Sequence, residues 1–61
     1  MPLLRLVETF LRETGMAHTR FGRLSARDPR LVDDLRRGRE PREDLRQRIE
    51  HFMNIYRQEQ A

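Results

Sequence analysis

Residues 28–42 read DPRLVDDLRRGREPR and carry the punctuation of one short helix. Asp28 is a good N-cap because its carboxylate can accept a backbone N–H of the first turn. Pro29 suits the first helical position, where its missing N–H costs nothing. Val32 and Leu35 supply a buried stripe, Arg36 and Arg37 face the negative end of the helix dipole, and Gly38 suits the left-handed residue just beyond. These features predict a helix over 29–37. Its outer face, opposite Val32 and Leu35, presents Pro29, Arg30, Asp33, Asp34 and Arg37. Two adjacent acids on such a face need partners. A spacing of four offers them, Arg30 with Asp34 and Asp33 with Arg37, each pair contributing a few tenths of a kcal/mol.

Working outward, Gly15 ends a first helix over residues 2–14, built on Leu3, Val7, Phe10 and Leu11 at helical spacing. The following stretch, MAHTRFGRLS, is a short second helix with Phe21 and Leu24 to bury. With Ala17 as N-cap, Met16 and Phe21 hold the two positions of a hydrophobic staple, although Ala17 itself is a poor cap. Beyond Gly38, Pro41 opens a last helix with Glu43 and Asp44 in its first turn. Its stripe of Leu45, Ile49, Phe52, Met53 and Tyr56 carries it to about Gln58. No segment reads as a strand. The expected fold class is all-α: a compact four-helix domain spanning residues 1–61, with Gly15 and Gly38 at two corners. Two short helices framed by two longer ones are the plan of a helix-turn-helix unit.

Composition narrows the chemistry. A chain of 61 residues is near the size at which folding buries only about 60% of the unfolded surface, so stability is modest and dimerisation would help. With no cysteine, neither a disulfide framework nor a thiolate metal site is available, which fits a reducing cytoplasm. Arg5 and Glu8 interrupt the N-terminal apolar run where a signal peptide needs continuity, and no stretch is long enough to span a bilayer. The expected location is the cytoplasm, in association with the nucleoid. All 13 basic residues are arginine, against 10 acids, for a net charge of +3. A GC-rich genome accounts for much of the missing lysine, but position is more telling. Residues 17–42 hold eight arginines against four acids, or +4, whereas the remainder holds five against six. A local positive field of this kind suits a polyanion.

Catalysis finds little support. Ser25 and the threonines have no recognisable base with an orienting partner, and Glu43 and Asp44 are explained by the helix dipole. His18 and His51 lie far apart without a third ligand, so no metal is expected, and no cofactor. The expectation is a protein that is not an enzyme.

The stretch MAHTRFGRLSARDPRLVDDLRRGR, residues 16–39, resembles the helix-turn-helix core of the lambda-repressor and Cro family. It is also similar to very short bacterial proteins with FGR, DPR and LRRGREPR-type segments. Phe21 stands at a buried family position, Gly22 where a small residue lets the two helices approach, Val32 and Leu35 at buried positions of the second helix, and Gly38 at its end. His18 falls where the family places a glutamine that contacts phosphate. The chain departs at Ala17, where a capping side chain is usual, at Ala26, where the turn glycine is usual, and at Ser25, where a buried aliphatic is usual. Leu24 or Ala26 could supply the missing packing by a shift of one residue.

The resemblance implies a small transcriptional regulator of bacterial or phage type that binds double-stranded DNA sequence-specifically. The second helix of the unit would enter the major groove, and basic groups around it would hold phosphates. On that reading Pro29, Arg30, Asp33, Asp34 and Arg37 face base edges, with Arg30 best placed to fork onto guanine O6 and N7. His18, Arg27, Arg39 and Arg42 contact phosphate. His18 also has a plainer reading as a helix-end residue, Arg20 and Arg23 read as solvated surface, and Leu31 reads as core before thymine contact. Part of the last stripe, Met53 and Tyr56, is expected to form a homodimer interface that sets two reading helices about 34 Å apart. The rival reading is a protein-interaction module of the same fold, whose acidic centre and arginine rim engage a transcription-related partner.

Overall fold

A computed structural model describes residues 2–60, and among them every regular element is helical. Helix α1 spans Leu3–Thr14, α2 His18–Ala26, α3 Leu31–Arg36 and α4 Glu43–Gln60. No helix among the described residues is long and apolar enough to cross a membrane.

The ends of the helices follow from local chemistry. Gly15 takes the left-handed conformation (φ +71°) and returns its N–H to Leu11 O, as its position after Thr14 predicts. Ala17 precedes α2 in extended conformation, its side chain making no cap bond, and Met16 is partly buried against the core. Helix α2 closes on Arg27, not a glycine, which is forced into the left-handed region (φ 55°, ψ 33°) so that its N–H reaches Arg23 O. Helix α3 is shorter than the expected 29–37. The N-cap is Arg30, which has no side-chain cap bond, and not Asp28 as expected; Asp28 Oδ1 accepts from Arg30 N–H at 2.9 Å in the turn before the helix. The Asp28 carbonyl accepts from Leu31 N–H at 3.1 Å, so residues 28–31 form a tight turn and α-helical bonding starts at the Arg30 carbonyl. At the other end Gly38 N–H returns to Leu35 O and Arg39 N–H to Asp34 O, a Schellman closure with Gly38 at φ +103°. Pro41 does not open α4; the first return bond runs from Arg46 N–H to Arg42 O.

One core gathers Leu3, Val7 and Phe10 of α1, Phe21 of α2, Leu31, Val32 and Leu35 of α3, and Ile49 and Met53 of α4. Phe10 is its aromatic centre, with ring centroids 5.4 Å from Phe21, 6.1 Å from Phe52 and 5.4 Å from Tyr56 in tilted or edge-on contacts. Through Phe52 and Tyr56 the α4 stripe meets Phe10 of α1, as expected of Phe52, and through Phe52 it also packs on Phe21 of α2. Leu31 is fully buried, which settles it as core.

One expectation about packing is overturned. Leu24 is 51% exposed and Ser25 takes the buried place beside Phe21, because its hydroxyl donates to Phe21 O at 2.7 Å and enters the core satisfied. Met53, expected at a homodimer interface, is 4% exposed and belongs to the chain's own core, and Tyr56, expected there with it, is half-buried against Phe10 and Phe52.

Candidate nucleic-acid interface

Helix α3 is anchored through Leu31, Val32 and Leu35, which are turned inward, so its remaining side chains face out. Arg30, Asp33, Asp34 and Arg37 line one shallow cleft of about 240 Å³, and Pro29 lies exposed in the turn before them. The outer face read from helical spacing is therefore a real cluster.

Its electrostatics differ from the expected i,i+4 pairing. Arg30 does not pair with Asp34, nor Asp33 with Arg37. Asp34 Oδ2 instead meets Arg39 Nη1 at 3.2 Å, and the same nitrogen reaches Asp28 Oδ2 at 3.4 Å. Asp33 Oδ1 lies 3.6 Å from His18 Nε2 and 3.9 Å from Arg36 Nη1. Arg36 in turn forks onto Glu8, Nε to Oε2 at 3.1 Å and Nη2 to Oε1 at 2.8 Å. That fork holds the Glu8 carboxyl below its usual range, with the Arg36 and Arg12 charges and His18 adding to the effect against some desolvation. The Arg36 guanidinium is correspondingly pushed up by its bond to Glu8.

A network thus runs from α1 through Arg36 and Asp33 to the first residue of α2. The acids of α3 are engaged by groups other than Arg30 and Arg37. Among the described residues neither of those two side chains has a hydrogen-bond or ion-pair partner. Their forks are the available donors of the face.

The four residues expected at phosphates are scattered. His18 sits half-buried at the start of α2, beside Asp33. Arg39 is held between Asp28 and Asp34. Arg42 is exposed at the start of α4. Arg27 lines a different groove, with Leu24 and α4. Reasoning from sequence missed the Arg36–Glu8 fork and the Arg39 clamp. The first joins residues 28 apart and the second residues 11 and 5 apart, and neither spacing has a helical signature. Glycine placement was the better signal. A Cβ on Gly22 would collide with the Asp28 carbonyl oxygen and lie 3.3 Å from Leu31 Cβ, so α2 and the turn into α3 touch where the smallest residue stands.

Comparison of the chain with protein-family models, with curated proteins and with solved structures finds no match.

Proposed function

We propose that this chain is a sequence-specific double-stranded DNA-binding protein, a small transcriptional regulator of helix-turn-helix type in which α3 enters the major groove. The observation that carries this reading is the pair of unengaged guanidinium forks, Arg30 and Arg37, on the exposed face of a helix whose other face is locked into the core. Arg30, next to the N-terminus of α3, forks onto guanine O6 and N7. Asp33 and Asp34, already held by His18, Arg36 and Arg39, set the shape of the face and accept from cytosine N4, so the helix selects sequence and does not simply gather phosphate. Phosphate contact falls to His18, to Arg42, and to Arg39 once it exchanges its carboxylates for the backbone. The reading assigns no catalytic group and no cofactor.

The test is duplex binding measured across a salt series. Each phosphate contact adds about −0.9 to the log–log slope. Absence of binding at low salt would favour the rival in which the same face engages a transcription-related protein. Sequence reading is tested by Arg30→Ala, expected to cost about 1–3 kcal/mol at one position of a selected site, whereas Arg42→Ala should weaken all sequences alike. Equal losses on every sequence would remove the reading role from Arg30.

A further inference from the structure

Away from the α3 face, a groove of about 400 Å³ lies between the end of α2 and the middle of α4. Phe52 forms its floor, held by edge-on contact with Phe21 at 5.5 Å between ring centroids. Leu24 and Ile55, among the described residues the two large apolar side chains left most exposed at 51% and 39%, line it from α2 and from α4. A single exposed apolar side chain needs no explanation, but two lining one groove together with an aromatic ring form a patch. Arg27, Arg48 and His51 ring it, and no carboxylate lines it. Among the described residues none of these three side chains has an ion-pair partner.

We infer that this groove docks an acidic amphipathic helix of a partner protein, one or two bulky apolar side chains entering between Leu24 and Ile55 while flanking carboxylates meet Arg27 and Arg48. Charge decides the occupant. A second copy of this chain, joined by a two-fold axis through the groove, would set Arg27 and Arg48 against their own equivalents with no acid between them, and like charges so juxtaposed oppose association. A carboxylate-bearing segment supplies what the rim lacks. The groove also has the right form. Residues 48, 51, 52 and 55 make a single stripe about two turns long on α4, which matches apolar anchors at i and i+3 or i+4 on an incoming helix. The inference does not rest on the DNA reading, because the groove shares no residue with the cleft of Arg30 and Arg37.

The test uses the full chain as bait for a displayed library of random peptides of about 12 residues, roughly three helical turns. The expected enrichment is bulky apolar residues at helical spacing flanked by Asp or Glu. An enriched peptide, made synthetically, should shift the NMR signals of Leu24, His51 and Ile55. It should bind about tenfold or more weakly to the Leu24→Ser/Ile55→Ser double variant, and less well to Arg48→Glu. These positions are exposed, so an unchanged melting curve verifies that each variant is folded. Failure to enrich, enriched peptides without carboxylates, or full binding by the double variant would each overturn the inference. So would a dimer in sedimentation equilibrium that Leu24→Ser dissociates, because the groove would then belong to a second copy.

Discussion

Replacing Gly22 with alanine sets two effects of known sign against each other. In a helix interior alanine is favoured over glycine by about 1 kcal/mol, so propensity alone predicts a more stable protein. Against this, the new methyl lands on the Asp28 carbonyl oxygen, with the Asp28 carbonyl carbon at 3.2 Å and Leu31 Cβ at 3.3 Å. The obstacle is backbone and cannot rotate away. Moving it strains the Asp28 N–H bond to Gly22 O and the Leu31 N–H bond to Asp28 O, both 3.1 Å, each worth about 1 kcal/mol. Overpacking adds about 1–3 kcal/mol. The net expectation is a loss of about 2–4 kcal/mol. At about 4–8 °C per kcal/mol for a domain of this size, the melting temperature falls by at least about 8 °C. Thermal and urea unfolding followed by far-UV circular dichroism measure it. Gly15→Ala is the control: no atom lies within 4 Å of its Cβ position, and only the left-handed backbone opposes the change, at about 1–2 kcal/mol. A Gly22→Ala protein as stable as the parent, or more so, would refute the contact between α2 and the turn into α3.

Other substitutions probe the same frame. Arg27→Gly should stabilise by about 0.5–1 kcal/mol, since relief of left-handed strain at φ 55° exceeds the added flexibility of the unfolded chain; an unchanged or lower urea midpoint would count against that backbone conformation. Met53→Ala should cost about 2–5 kcal/mol of monomer stability, with no concentration dependence of the melting temperature; a small loss coupled to dissociation would return Met53 to an interface. The Glu8 carboxyl titrates below its ordinary value of 4.5, so its bond to Arg36 contributes above that pH and is lost as pH falls through the lowered value. The stability difference between the parent and Glu8→Gln should therefore be constant near neutrality and vanish in acid. It should be small and weakened by salt, because both partners are substantially exposed; a difference that grows on acidification would contradict the fork.

Much of the frame is legible residue by residue. The helix corners at Gly15 and Gly38 and the inward stripes of α3 and α4 rest on interactions within a few residues, so neighbouring sequence is enough to specify them. The outer face of α3 was readable for the same reason, since residues 30, 33, 34 and 37 share one side of any helix through them. What each of those residues touches was not readable. Whether Asp34 turns to Arg30 or to Arg39 depends on where the chain goes after Gly38, and Asp33 is drawn to His18 and Arg36 because α2 crosses beside it. Ser25 displaces Leu24 from the core because a hydroxyl can repay its burial with a bond to the Phe21 carbonyl, and the rotation of α2 on its neighbours sets which of the two points inward. Helix formation is a matter of near neighbours in the chain, whereas burial, ion pairing and the groove beside α4 depend on how the helices cross. Those crossings follow from side-chain packing across all four elements at once, and no local stretch encodes it.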